Sequence, residues 1–137
     1  MESFVGKWEQ IDDEIPNHDA FLNTAGISED RKKKMKTKSV IEYQPSGSQW
    51  KHVATDKKSK ASQSYLFELG VPAVAEDLYG HKFKVVTNIE DRNKMKEVYT
   101  EWCDFDVNVV REISGNVMHI TLTVKDVSCK VTFKKIV

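Results

Sequence analysis

The chain has 137 residues, with 21 basic and 21 acidic side chains and a formal net charge of zero. This length suits one domain that covers residues 1–137, and the balanced charge provides no overall field that would favour nucleic acid or a membrane surface. We expect a cytoplasmic protein, because the start lacks the pattern of a signal peptide and no segment approaches a membrane span, and we expect Cys103 and Cys129 to be reduced thiols.

Two short helices are predicted after a first strand, which runs from Phe4 to Ile11. Pro16 favours the first turn of a helix, where its missing N–H has no partner in any case, and Gly26 is placed to end that helix. Ser28 can cap a second helix, which ends in the basic run Arg31–Lys36. Both helices are short and weakly amphipathic, so we expect them to depend on the rest of the protein.

From about residue 37 onward, the sequence predicts short strands separated by turns. The predicted strands cover residues 39–43, 49–54, 62–69, 81–89, 95–102, 104–113, 117–124 and 127–137, and Ser114-Gly115-Asn116 and Lys125-Asp126 are predicted hairpin turns. Nine or ten antiparallel strands would leave two vulnerable edges in an open sheet, and closure into a barrel removes them. A barrel of that size is too wide for its own side chains to fill, so we expect an internal cavity.

The strand predicted over residues 104–113 carries the main candidate functional residue. Its apolar side chains occupy alternate positions: Phe105, Val107, Val109 and Ile113. Arg111 interrupts that apolar face and points inward if the alternation is regular, where a guanidinium needs a paired anion, carbonyl groups or water. A bulge at residues 109–110 would turn Arg111 outward, but it would also bury Glu112 and expose Ile113. A surface arginine remains the alternative.

Other kinds of site receive little support from the sequence. The four histidines (His18, His52, His81 and His119) share no ligand spacing and are expected on the surface or in loops, so we expect no metal site. No nucleophile elbow or glycine-rich loop is present, and we expect neither a cofactor nor enzymatic activity. The aromatic residues alternate onto apolar strand faces, so we do not expect them to stack on nucleic-acid bases.

The basic run in the second predicted helix has two interpretations. It can be an ordinary solvated helix face, or it can contact anionic membrane lipid through Arg31, Lys32, Lys33 and Lys34. Lys57, Lys58 and Lys60 would reinforce such a contact if their loop lies nearby.

The chain resembles the intracellular fatty-acid-binding proteins along its whole length. The resemblance rests on Phe4-Val5-Gly6-Lys7-Trp8 followed by two helices and a run of hairpins, on Phe67-Glu68-Leu69-Gly70, and on the closing Phe133-Lys134-Lys135. It implies an all-β fold, a ten-stranded antiparallel up-and-down β-barrel (a β-clam) with a helix-turn-helix lid. It also implies a non-enzymatic, monomeric carrier of long-chain fatty acids or similar lipid ligands. A carrier of retinoid- or steroid-type ligands, and an interaction module that acts through the basic helix, are alternatives.

The resemblance further implies a polar anchor for the ligand carboxylate, made of two inward arginines and a tyrosine. Arg111, nine residues after Trp102, corresponds to the first arginine. Val131 and Phe133 stand where the second arginine and the tyrosine are expected. With Arg111 alone, apolar burial at about 0.8 kcal/mol per methylene would provide most of the binding. The predicted ligand-binding residues are Arg111, Phe133, Val131, Val109, Tyr43, Thr100 and Leu122.

Overall fold

The computed structural model describes all 137 residues as ten antiparallel strands in a nearly closed barrel with two helices. After a single 3-10 turn at Glu2–Phe4, the elements in chain order are β1 (Gly6–Gln10), α1 (His18–Ala25), α2 (Glu29–Lys34), β2 (Ser39–Ser46), β3 (Gln49–Asp56), β4 (Ser62–Phe67), β5 (Ala73–Glu76), β6 (Lys82–Asp91), β7 (Lys94–Thr100), β8 (Val107–Ser114), β9 (Val117–Val124) and β10 (Val127–Lys135). The all-β barrel with a helical pair, expected from the resemblance, is confirmed.

Strands that are consecutive in the sequence are neighbours in the sheet, except for β4 and β5. The spatial order is β4-β3-β2-β1-β10-β9-β8-β7-β6-β5, so β10 returns to pair with β1 while β4 and β5 form the two edges. These two edge strands lie close to each other, but no ladder of hydrogen bonds joins them. The barrel therefore has one seam, between β4 and β5, where the wall can open without breaking a strand pair. No helix in the structure is both long and apolar enough to cross a membrane.

The two helices begin and end largely where the sequence signals lie. Gly26 follows α1 with φ of 78°, a left-handed conformation that suits glycine, and its N–H donates to the carbonyls of Leu22 and Asn23. The Ser28 hydroxyl accepts a hydrogen bond from the Arg31 N–H, which confirms the predicted cap of α2. The expected role of Pro16 is wrong, because α1 begins two residues later, at His18. The buried face of α1 packs against β9 and β10.

The sequence analysis missed one strand and began another too early. The strand β5 was not predicted, because its four residues follow Pro72 and show no clear alternation. The strand predicted over residues 104–113 begins only at Val107. Phe105 consequently lies in the preceding loop, 39% exposed, with the Lys125 ammonium 4.0 Å from its ring centroid. The predicted turns at Gly115-Asn116 and Lys125-Asp126 are confirmed.

Candidate functional site

Arg111 lies inside the barrel, at the centre of a continuous β8. Its side chain is almost entirely buried, and its strand neighbours are Met95 on β7 and Ile120 on β9. The pairing of β8 with both neighbours has no register shift, so the alternative with a bulge is wrong. The prediction that Arg111 faces inward is confirmed. Val131 occupies the next position around the wall, opposite Ile120.

A buried acid already pairs with this arginine. The Arg111 Nε–H donates to Glu97 Oε1 at 2.7 Å, and both side chains are at most 5% exposed. The Thr87 hydroxyl donates to the other carboxylate oxygen of Glu97, also at 2.7 Å. Such a pair is favourable in a low-dielectric interior only if further hydrogen bonds satisfy its remaining atoms, and Thr87 provides one of them. The two charges cancel, so this region is polar but carries no net charge.

Two tyrosines complete the surroundings of the guanidinium. The Tyr99 hydroxyl accepts a hydrogen bond from Arg111 Nη2 at 3.1 Å, and Arg111 Cζ lies 5.7 Å from the centroid of the Tyr43 ring. Burial raises the pKa of Tyr99 to about 12, so its hydroxyl stays neutral. Burial by itself lowers the pKa of Arg111, but the Glu97 carboxylate beside it holds that pKa well above its ordinary value. Arg111 therefore stays charged and Tyr99 neutral at physiological pH.

Most of the predicted ligand-binding residues line the interior together with Arg111. Strand alternation places these on inward positions: Val109, Leu122, Val131, Phe133 and Tyr43. Thr100 requires a correction. It pairs with the exposed Lys84 on the outward face of β7, and its neighbour Tyr99 takes the inward position instead. Sequence reasoning placed the hydrogen-bonding helper one residue too far along the strand.

Sequence reasoning also missed His52, which was expected at the surface. His52 lies on β3 and is 8% exposed, and its Nε2 atom has no hydrogen-bond partner. Burial, and to a lesser degree the charge of Arg111, lower its pKa to about 3, so the imidazole is neutral. The available signal was its position between Trp50 and Ala54, the alternate residues that face inward on the same strand.

His52 lines a cavity of about 190 Å³ that lies beside the seam between β4 and β5. Its wall contains Ala54, Gln63, Tyr65, Phe83, Tyr99 and Trp102, together with residues 76–79. The volume is below the about 300–1,000 Å³ of pockets that enclose drug-sized ligands. A larger cleft of about 650 Å³ lies between the loop that follows β1 and the start of β2, but its wall contains neither Arg111 nor His52. The smaller cavity borders His52 and Tyr99, while Arg111 and Glu97 lie outside its wall.

Both helices contact Trp102, a residue of the cavity wall. The Phe21 ring stacks on Trp102 with centroids 6.4 Å apart, and Arg31 Nη2 donates to the Trp102 carbonyl at 3.2 Å. Asp77 joins the cluster, because it accepts from Trp102 Nε1 at 3.2 Å and lies 3.7 Å from Arg31 Nη2. Asp77 and Trp102 also belong to the cavity wall, so the helical pair is held at the edge of the cavity.

The basic run in α2 is not uniformly exposed to solvent, because its side chains differ in their contacts. Arg31 is bound to Trp102 and Asp77, and Lys32 is buried, where its ammonium donates to Asn23 and Glu29. Lys33 and Lys34 are exposed. Arg31 and Lys32 therefore have partners within the protein, while the membrane contact expected of Arg31–Lys34 stays a prediction.

The chain is similar in sequence to known fatty-acid-binding proteins, although no family model matches it. It is 30% identical over 137 residues to a protein named fatty acid-binding protein 1 from Fasciola gigantica, covering 98% of this chain and 99% of that protein. It is also 29% identical over 135 residues to the liver fatty acid-binding protein of Sus scrofa, with 98% and 99% covered.

Solved structures agree on the fold. The Schistosoma mansoni fatty acid binding protein, determined in complex with arachidonic acid, superposes with a TM-score of 0.85 at 23% identity, covering 100% of this chain and 98% of that one. With a full-length relative at 30% identity and the barrel described above, the chain belongs to the family of fatty-acid-binding proteins.

Proposed function

We propose that the protein is a non-enzymatic carrier of long-chain fatty acids or similar lipids, which it holds inside the barrel. The observation that carries this proposal is the polar cluster around Arg111, buried inside an apolar wall within a member of this family. A lipid has the matching chemistry, since it combines one polar end with a long apolar tail. The cytoplasmic location and monomeric state expected from the sequence remain predictions.

Burial of the tail supplies most of the proposed affinity. Each methylene removed from water contributes about 0.8 kcal/mol, while hydrogen bonds to the head mainly fix orientation. The cavity of about 190 Å³ is too small for a complete long chain. Ligand entry therefore requires the interior side chains to move, and the seam between β4 and β5 permits this because no strand ladder closes it.

Arg111 is our proposed polar anchor, acting as a hydrogen-bond donor. A guanidinium carries five N–H donors, and those that bond to Glu97 and Tyr99 leave others available. Because Glu97 already neutralises the charge of Arg111, the arginine orients a ligand head group through hydrogen bonds more than it attracts an anion. This arrangement favours looser discrimination among head groups than two unpaired arginines would provide. Val109, Leu122, Val131, Phe133 and Tyr43 are the proposed surrounding wall.

A displacement assay tests the carrier proposal. A fluorescent fatty acid should bind the purified protein saturably, and unlabelled lipids of increasing chain length should displace it with increasing affinity. Ala54→Phe, which places a ring in the cavity wall, should abolish binding, whereas Ala61→Phe, on an exposed position beyond β3, should not. The proposal fails if no fatty acid, alcohol, retinoid or steroid binds, or if the two variants behave alike.

Membrane contact through α2 remains a narrower prediction, carried by the exposed Lys33 and Lys34. Two lysines give a weak attraction, since each basic residue near an anionic surface contributes about 1 kcal/mol. Co-sedimentation with anionic vesicles that fades as salt is added would support this contact. Equal recovery with neutral vesicles would count against it.

A further inference from the structure

His52 Nε2 is the one fully buried side-chain nitrogen or oxygen that has no hydrogen-bond partner. Its two ring neighbours contribute only aromatic contacts: Tyr43 lies edge-on at 5.1 Å and Tyr65 tilted at 5.0 Å. A buried polar atom without a partner destabilises the folded state, so a ligand that bonded to this nitrogen would remove that cost.

The cavity that His52 lines can hold that partner once neighbouring side chains shift, because solvent does not reach Nε2 itself in the closed structure. Its volume of about 190 Å³ corresponds to roughly six water molecules at ~30 Å³ each, which is room for a ligand head group and its first methylenes. The wall around His52 carries the aromatic rings of Tyr65, Phe83, Tyr99 and Trp102, and its other polar side chains include Gln63, Glu76 and Asp77. A ligand placed there would meet the imidazole and a few other polar groups within a mostly apolar surface, which is the usual form of a small-molecule site.

The charges around the cavity disfavour an ionised head group, because Glu76 and Asp77 lie in its wall and no lysine or arginine does. Arg111 is already paired with Glu97 at 2.7 Å, and the second Glu97 oxygen accepts from Thr87. A carboxylate entering the cavity would therefore meet the acids of the wall and no unpaired cation, and like charges repel at low dielectric. His52 cannot compensate, because its lowered pKa of about 3 keeps it neutral.

We propose that His52 hydrogen-bonds the hydroxyl group of an uncharged long-chain lipid, either a fatty alcohol or a monoacylglycerol. This inference rests on the proposed carrier function and names the head group for that same interior. A hydroxyl fits because it donates and accepts, so it satisfies the imidazole nitrogen in either tautomer, whereas an ester carbonyl can only accept. The Tyr99 hydroxyl, on the same cavity wall and bonded to Arg111, links this site to the anchor region.

Competition against a reporter without a head group tests the inference. A pyrene-labelled alkane is displaced from wild-type protein by dodecanol, monolauroylglycerol, dodecane and laurate at about pH 8, where the acid is ionised. Wild type should bind dodecanol or monolauroylglycerol about 10-fold more tightly than laurate. His52→Phe should weaken binding of the preferred hydroxyl lipid about 10-fold, the range of one hydrogen bond, and leave dodecane unchanged.

Two further variants separate the hydrogen bond from packing. His52→Gln carries an amide near the position of Nε2 and should restore most of the lost affinity. His119→Phe removes a histidine whose Nδ1 bonds Thr132 on the outer face, and it should change nothing. Dodecane binding verifies that each variant is folded. Whichever of dodecanol and monolauroylglycerol binds more tightly identifies the source of the hydroxyl.

The outcomes distinguish the two proposals. Failure of the reporter and of every lipid to bind wild type would overturn the carrier function and this inference together. Saturable binding with laurate preferred over both hydroxyl lipids would overturn the inference alone. Equal losses for the hydroxyl lipids and dodecane in His52→Phe would also overturn it, because they would indicate a packing role.

Discussion

Arg111 and His52 are both polar and both buried in the same barrel, yet they differ in what the fold leaves them to do. Arg111 has an ion pair, a tyrosine hydroxyl and an aromatic face as partners. His52 Nε2 has none, and its ring borders a cavity. Burial alone therefore does not identify a ligand contact. The unused hydrogen-bonding capacity of a buried group is the more informative property.

Removal of the Arg111 guanidinium should destabilise the protein strongly. Arg111→Leu leaves Glu97 buried as an unpaired charge, and loss of one partner from a buried pair costs about 3–5 kcal/mol. The free energy of unfolding, measured by urea titration, should fall by that amount. The double variant Arg111→Leu with Glu97→Leu should recover much of the loss, because no charge is then left without a partner. Additive losses in the double variant would contradict the description of Arg111 and Glu97 as one unit.

The burial of His52 should make the free energy of unfolding depend on pH. His52 has a folded-state pKa of about 3, against about 6.5 in an unfolded chain. Between these values the unfolded state binds the extra proton, so this contribution to stability is complete above about pH 6.5 and falls as pH falls toward 3. The loss amounts to about 2–3 kcal/mol between pH 7 and pH 4.5, at about 1.36 kcal/mol per unit.

His52→Phe removes this contribution, so its stability should decline less than that of wild type over the same pH range. Other groups whose folded-state pKa values are lowered, such as His18 and Asp56, remain in both proteins and cancel in the difference. Tyr43, Tyr65 and Arg111, which surround His52, do not titrate in this range. Parallel pH profiles for the two proteins would show that His52 is not buried in its neutral form.

The two residues also differ in how far the sequence could identify them. The inward direction of Arg111 follows from one strand, because its neighbours at alternate positions are apolar. The partner Glu97 has the same parity as Met95 and Tyr99 on β7, but an acid that follows Lys94 and Lys96 resembles an ordinary surface residue. Its pairing with Arg111 depends on the register between β7 and β8, which is set by tertiary structure. His52 was missed for a similar reason, since its inward position depends on which face of β3 meets the interior.

Glu97→Gln changes the charge around Arg111 while it preserves the shape of the side chain. The amide oxygen can still accept a hydrogen bond from Arg111 or Thr87, but Arg111 is no longer neutralised. Laurate should then bind about 10–100-fold more tightly than to wild type, a gain of about 1.4–2.8 kcal/mol, while dodecanol changes little. Displacement titrations at constant ionic strength measure both ligands. An unchanged ratio of laurate to dodecanol affinity would mean that Glu97 does not set the charge preference.

Tyr99 lies between Arg111 and the cavity of His52, and its replacement should have a modest effect. It accepts the hydrogen bond from Arg111 and borders the cavity of His52. Tyr99→Phe should lower the free energy of unfolding by about 1–2 kcal/mol, since one hydrogen bond to a charged donor is lost. If the two polar groups act independently, the effects of Tyr99→Phe and His52→Phe should add to within about 0.5 kcal/mol in the protein without ligand. A coupling above about 1 kcal/mol would instead make His52 part of the Arg111 network, and its free nitrogen would then belong to a single connected site.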